Sequence, residues 1–259
     1  MRRSSAQALF GNGRPVVIPF LTAGFPNRRT FLEAAHIAHA EGAAALEIGM
    51  PFSDPLADGP AIQHSSQRAL AAGMTMEGVF DLAAAVRARL PMPLFLMGYL
   101  NPVLRLGMER FARLAKAAGV AGTIIPDCPV EEAAGWVRCS RQQDLEIIFL
   151  IAPTSSEERI RRIDRRSTSF SYCVSVAGVT GARRAVARST REYLARVRRV
   201  AQKPYVVGFG IARPEHIRAL RGLADGFVVG SALVPLLEER NSGLVKAGRL
   251  IRGLVRAAE

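Results

Sequence analysis

Lysine is almost absent from this chain. Of its 35 basic residues only Lys116, Lys203 and Lys246 are lysines, and the rest are arginines. Schiff-base chemistry needs a desolvated lysine at the site. Lys116 and Lys246 fall in helical patterns and Lys203 precedes an apolar run, so none is placed for it. Histidine is sparse too. His36 and His39 are one helical turn apart on an amphipathic stretch, His216 falls in another, and His64 stands near a loop without partner ligands. No metal site is expected from that set, and no Ser/His/Asp arrangement is readable. The three cysteines, Cys128, Cys139 and Cys173, are an odd number with no CxxC spacing. That usage points to buried thiols in a reducing cytoplasm, not to a disulfide framework. No run of about 18 apolar residues exists, so no membrane span is expected. The basic stretch Met1–Ser5 is not followed by a long apolar run, so no signal peptide is expected either.

Acid is also in short supply: 22 acidic residues leave a net charge of +13. Twelve arginines lie between Arg159 and Arg199, against only Asp164 and Glu192. No nucleic-acid motif or interleaved aromatics accompany them. The charge therefore reads as solvated helix faces without a nucleic-acid partner, although a small anionic substrate could gain from steering.

What is present is a repeat. Eight short apolar runs alternate with amphipathic stretches: Val16–Phe20, Ala45–Ile48, Pro93–Met97, Gly122–Ile125, Glu146–Ile151, Phe170–Val174, Tyr205–Gly208 and Phe227–Val229. Most lack strict alternation, as strands buried on both faces do. Thr30 with Glu33, Ser155 with Glu158 and Ser189 with Glu192 read as capping boxes, and Pro214 as a first-turn proline. Eight strand–helix units in 259 residues predict an α/β fold, a single-domain (β/α)8 TIM barrel spanning residues 1–259. A doubly wound open sheet is the alternative. It is disfavoured because no GxGxxG follows strand one, where the chain reads Leu21-Thr22-Ala23-Gly24-Phe25-Pro26. Extra helices are expected at Ala61–Ala72 and about Leu244–Ala258, and the first residues should cap the barrel bottom.

Barrel sites form where strands end. Glu47 interrupts the apolar run Ala43–Ile48, and Asp58 follows eleven residues later in a loop rich in proline and glycine. A buried and a loop carboxylate in unlike surroundings suit acid/base work. Strand four ends at Asp127, with no histidine at a neighbouring strand end. Strands seven and eight end in Gly208-Phe209-Gly210-Ile211 and Gly230-Ser231. These are the usual phosphate-holding positions, with Gly210, Gly230 and Ser231 as the cradle and Gly181 as a further backbone donor. Phe20, Tyr99, Tyr172 and Phe209 at or near strand ends would make an apolar slot above it. Together these features suggest a phosphorylated aromatic substrate.

The stretch Leu46 to Pro60, LEIGMPFSDPLADGP, resembles the signature of the tryptophan synthase α subunit family. The likeness runs the length of the chain through IPFLTAGFP, IQHSSQRAL, MGYLNP, IIPDCPVEE, FLIAPTSSEERI, VSVAGVTGAR, GFGIARPE and VVGSALV, in order and at the family's spacing. The resemblance implies a (β/α)8 barrel that cleaves indole-3-glycerol phosphate to indole and glyceraldehyde 3-phosphate without a cofactor. Its catalytic carboxylates would be Glu47 and Asp58. Its substrate contacts would be Phe20, Tyr99, Tyr172, Thr180, Gly181, Phe209, Gly210, Gly230 and Ser231, with Thr180 in a loop able to close over the site. The implied partner is a pyridoxal-phosphate β subunit in an αββα heterotetramer, which receives the indole. Two departures stand out. Val176-Ala177 replaces the Arg-Thr of many members in the loop that couples closure to the β subunit, and Ala212 replaces a usual serine, removing a helix cap. They leave open a stand-alone indole-releasing lyase. A catalytically weak activator of a β subunit is the third reading, and the intact carboxylates and phosphate loops argue against it.

Overall fold

The computed structural model describes residues 8–174, 188–208, 210–239 and 241–259. Its strands are β1 (Val16–Thr22), β2 (Leu46–Gly49), β3 (Leu94–Met97), β4 (Gly122–Ile124), β5 (Glu146–Ile148), β6 (Leu150–Ile151), β7 (Ser171–Cys173), β8 (Tyr205–Val207) and β9 (Gly226–Val229). The lateral order is β5-β4-β3-β2-β1-β9-β8-β7-β6, and every pairing is parallel. Only Phe149 separates β5 from β6, so the two ends of the sheet meet in the chain and the strands curl into a nearly closed barrel.

The expected single strand Glu146–Ile151 is thus two pieces, and the strand count is nine among the described residues. Side chains take over its ladder. Thr168 Oγ1 accepts from Ile147 N at 2.8 Å and Ser167 Oγ from Phe149 N at 3.1 Å. The first piece then pairs with β4 and the second with β7.

The helices before the break are α1 (Arg28–Ala40), α2 (Pro60–Ala71), α3 (Met76–Arg87), α4 (Leu100–Leu106), α5 (Met108–Ala117) and α6 (Ala134–Gln142). After it come α7 (Glu157–Arg166), α8 (Arg188–Val200), α9 (Pro214–Ala219), α10 (Val234–Glu238) and α11 (Gly243–Ala258). The two expected extra helices are α2 and α11, each starting one residue early, and Pro214 opens α9 as read.

The capping boxes differ. Asn27, not Thr30, caps α1: its side chain accepts from Thr30 N at 2.9 Å, and Glu33 turns instead to Arg29. Ser156, not Ser155, caps α7, accepting from Arg159 N at 3.2 Å. Ser155 is spent on the preceding turn, where its hydroxyl accepts from Ala152 N. Ser189 lies inside α8, and Glu192 pairs with Arg188. In α1 and α7 a neighbouring polar side chain had the better reach to an unpaired amide.

Alternation along the strands separates two cores. Val17 and Leu21 of β1, Leu46 and Ile48 of β2, and Leu94 and Leu96 of β3 point outward into the strand–helix layer. Ile18, Phe20, Ala45, Phe95, Ile124, Ile148, Phe170, Tyr172, Val206 and Val228 fill the barrel. Leu9 and Phe10 pack on this inner cluster, with the Phe10 ring edge-on to Phe170 at 5.5 Å. The described part of the N-terminal stretch therefore covers the barrel interior, as expected. Lys203 closes the C-terminal end of α7, its ammonium donating to the carbonyls of Asp164, Arg165 and Ser167. The arginines of α7 and α8 sit largely in exposed ion pairs, such as Arg161 with Glu157 and Arg198 with Asp225, each contributing little to stability.

Candidate active site

Position 47 shares its strand face with Ala45, so alternation turns Glu47 into the barrel. In register it stands between Phe20 of β1 and Phe95 of β3. It is buried, with 1% of its surface exposed, and its Oε1 has no hydrogen-bond partner among the described residues. Burial, and then the negative charge of Asp58, push its carboxyl up from 4.5 to about 8. At neutral pH it is a carboxylic acid, ready to give a proton away.

Asp58 arrives from the loop after β2. Gln63 Nε2 donates to its carbonyl at 2.9 Å, tying the loop to the first turns of α2. Burial raises its carboxyl to about 6, and the Tyr99 hydroxyl, donating to Oδ2 at 3.1 Å, pulls it back down. Tyr99 is itself held by Ala57 N, which donates to its oxygen at 2.9 Å. The pair is therefore split: near pH 7 one acid is protonated and the other ionised.

Both carboxylates line one cavity of about 500 Å³ at the barrel mouth. Phe20, Tyr172, Gly210, Gly230 and Ser231 line it as well, so the structure brings seven of the sequence-derived site residues together. Tyr99 stands elsewhere. It lines a smaller neighbouring cavity behind Asp58, with Phe52 against its ring at 5.2 Å. Thr180, Gly181 and Phe209 lie outside the described residues.

Two glycines make room for the aromatic walls. A Cβ on Gly49 would fall 2.3 Å from Phe20 Cζ, and one on Gly208 would fall 2.0 Å from the Tyr172 hydroxyl oxygen. On the β8 side of the cavity, Gly210 takes a φ of +62°. Its carbonyl lies 2.9 Å from His216 Nδ1, and Ala212 N lies 3.3 Å from the same nitrogen, so the ring braces this turn. His64, the histidine nearest the opening loop, pairs with Glu238 of α10.

A family model described as tryptophan synthase alpha chain matches residues 7–253. The chain belongs to the tryptophan synthase alpha chain family. The alpha chain of Geobacter sulfurreducens is 47% identical over 227 residues, covering 88% of this chain and 86% of that one. That of Chloroflexus aggregans is 46% identical over 257 residues, covering 97% and 95%. A solved tryptophan synthase α2β2 complex of Pyrococcus furiosus contains a chain that superposes with a TM-score of 0.88 at 37% identity, covering 94% of this chain and 98% of that one. A chain of Mycobacterium tuberculosis tryptophan synthase reaches 0.91 at 34% identity, covering 99% of each.

The tryptophan synthase alpha reaction, cleavage of indole-3-glycerol phosphate, is a lyase reaction that needs a proton donor and a base, and the split pair is suited to it. Sequence reasoning left some of the wall unnamed. Ile62 and Leu150 line the cavity but read as core positions in a helix and a strand. Asp127 was noted at its strand end and lacks a catalytic geometry of its own: its Oδ1 accepts from Leu100 N at 2.8 Å and so anchors the start of α4. Arg159 also lines the cavity, hidden in the sequence among eleven other arginines of its segment.

The Gly208 contact gives a direct check. Gly208→Ala should push the Tyr172 ring off its seat and into the cavity. The KM for indole-3-glycerol phosphate should rise about tenfold or more while the chain still folds. An unchanged KM would show that the ring is free to move aside.

Proposed function

We propose that this chain cleaves indole-3-glycerol phosphate to indole and glyceraldehyde 3-phosphate through Glu47 and Asp58, and passes the indole to a tryptophan synthase β subunit. The observation that carries the reading is the buried acid Glu47, protonated at neutral pH, facing the same cavity as a more acidic Asp58. Indole is a poor carbanion, so its C3 must be protonated before the side chain can leave. Glu47 donates that proton. The ring becomes an indolenine cation, whose N–H is held by ionised Asp58. Glu47, now a carboxylate, takes the proton from the hydroxyl on the carbon attached to C3. The C–C bond breaks, its electrons restore the indole ring, and the hydroxyl carbon becomes the aldehyde. Glu47 ends protonated and Asp58 unchanged, so no cofactor is needed.

Phe20 and Tyr172 flank the indole in this reading, and Tyr99 acts by orienting Asp58. Gly210, Gly230 and Ser231, with Thr180, Gly181 and Phe209, hold the glycerol phosphate and fix its register. Among the described residues no single helix is long and apolar enough to cross a membrane, and the three buried, free thiols suit a cytoplasmic enzyme. The β-subunit partnership is supported by likeness to chains from the Pyrococcus furiosus α2β2 complex. Val176 and Ala177 favour a second reading, a lyase that releases indole unaided.

Timed indole release from indole-3-glycerol phosphate, with and without a tryptophan synthase β subunit, separates the two. Slow release strongly stimulated by the β subunit is the expected result. Fast release alone would select the stand-alone lyase, and no release in either arm would sink both.

A further inference from the structure

The cavity wall has a charge problem. Among the described residues it carries three acidic side chains, Glu47, Asp58 and Asp127, and one cation, Arg159. The substrate of the reading above is a phosphate ester, a dianion near neutral pH. Backbone amides and the Ser231 hydroxyl can hold a phosphate once it is seated, but they are dipoles and act over short range. A dianion approaching ionised Asp58 is repelled at longer range unless a full positive charge offsets it.

Arg159 is where such a charge belongs. It lines the cavity with its side chain 44% exposed, so it faces both the opening and the interior. It is also locally out of place. Ser156 caps α7, and Glu157 and Glu158 follow, both favoured beside a helix N-terminus. Arg159 comes next in the same turn, where the helix dipole disfavours a cation. Residues that break a local rule tend to mark function. Its Nη1 donates to Glu131 Oε1 at 2.7 Å, and Arg162 reaches the same oxygen at 3.4 Å. Arg162 also pairs with Glu158 at 3.2 Å, so Glu131 and Glu158 share two arginines, and Arg159 is the one of the two that lines the cavity. The guanidinium has five N–H donors, so one bond to Glu131 does not exhaust it.

We propose that Arg159 is the phosphate-capturing residue of this site: it supplies the positive charge that draws the dianionic substrate past the acidic wall. The inference rests on the proposed reaction. Arg159→Gln should lower kcat/KM by about tenfold at low salt through KM, with kcat within about twofold, and the gap should close at high salt. Arg159→Lys should keep most of the activity, since point charge suffices. Glu131→Gln is the decisive companion. If Arg159 and Glu131 were only a strut between two loops, both substitutions would do equal harm. If Arg159 captures phosphate, Glu131→Gln removes a competing anion and should leave kcat/KM unchanged or raised.

Calorimetric binding of glycerol 3-phosphate to the same proteins gives a readout independent of turnover. The expected order of affinity is Arg159→Gln weakest, then wild type, then Glu131→Gln. Equal losses in the two variants, or no change in Arg159→Gln, would overturn the inference. A wild type that binds glycerol 3-phosphate in that order yet releases no indole would overturn the reaction and leave the role of Arg159 standing.

Discussion

Glu47→Gln should abolish indole release while making the folded chain less sensitive to alkaline pH. The catalytic half follows from the two jobs given to one carboxyl. It donates a proton to C3 and then takes one from the hydroxyl, and an amide does neither. General acid/base roles are worth about 10²- to 10⁴-fold each, so a loss of about a thousandfold or more in kcat is expected. Binding of glycerol 3-phosphate should survive, because the residues proposed to hold its phosphate, Gly210, Gly230 and Ser231, follow β8 and β9 and not β2.

The stability half follows from linkage. The folded protein holds the Glu47 proton up to about pH 8, whereas an unfolded chain releases it near 4.5. Below the lower value the two states are protonated alike and the group costs nothing. As pH rises between the two values, folding must work against ionisation in the unfolded state. Above about 8 the full penalty applies, up to about 5 kcal/mol. Glutamine has no such titration. Its amide meets a place where Oε1 has no partner among the described residues, which shifts stability by a constant at every pH. The informative quantity is therefore the change in Tm between about pH 6 and pH 9. It should fall more steeply in the wild type than in Glu47→Gln. Parallel curves would mean that Glu47 is not a high-pKa buried acid, and the proton donor would have to be sought elsewhere.

How much of this was legible in the sequence depends on whether the signal was local. Glu47 was visible because a carboxylate inside an apolar run is costly, and strand alternation then dictates the face it uses. The barrel was visible because each unit repeats the same strand–helix pattern. The break at Phe149 was not visible. It depends on Ser167 and Thr168, about twenty residues on, offering side-chain oxygens to Ile147 and Phe149, and nothing in Glu146–Ile151 itself marks it. The caps were misplaced by one to three residues for a similar reason. Asn27 competes with Thr30, and Ser156 with Ser155, and only the backbone geometry chooses between them. Tyr99 was found as an aromatic at a strand end, yet its contacts to Ala57 and Asp58 are made by its hydroxyl. That hydroxyl points toward the Asp58 loop and not into the slot. Arg159 was invisible because composition hides one functional arginine among many solvated ones.

The Tyr99 hydroxyl leads to the second large effect. With Asp58 near 6 and Glu47 near 8, the productive form, one proton on the pair and that proton on Glu47, dominates between those values. The pH profile of kcat/KM should be a bell, its limbs belonging to the coupled pair and not to either residue alone. Tyr99→Phe removes the hydrogen bond that favours ionised Asp58, so the Asp58 carboxyl should rise. The acid limb should move up by about one unit, a loss of about fivefold at pH 6 and about twofold at pH 7. The alkaline limb should stay, because burial comes first among the causes holding Glu47 up and Tyr99 is not one of them. Asp58→Asn acts on the other side. It removes the negative charge that helps raise Glu47, so any residual activity should show its alkaline limb shifted down. The substrate phosphate also titrates near pH 6, but it is common to every variant and cancels in the comparison. An acid limb that does not move in Tyr99→Phe would remove Tyr99 from the machinery. A limb that moves down would show that the hydroxyl prefers the protonated form of Asp58, and the proton would then have to start on Asp58 instead of Glu47.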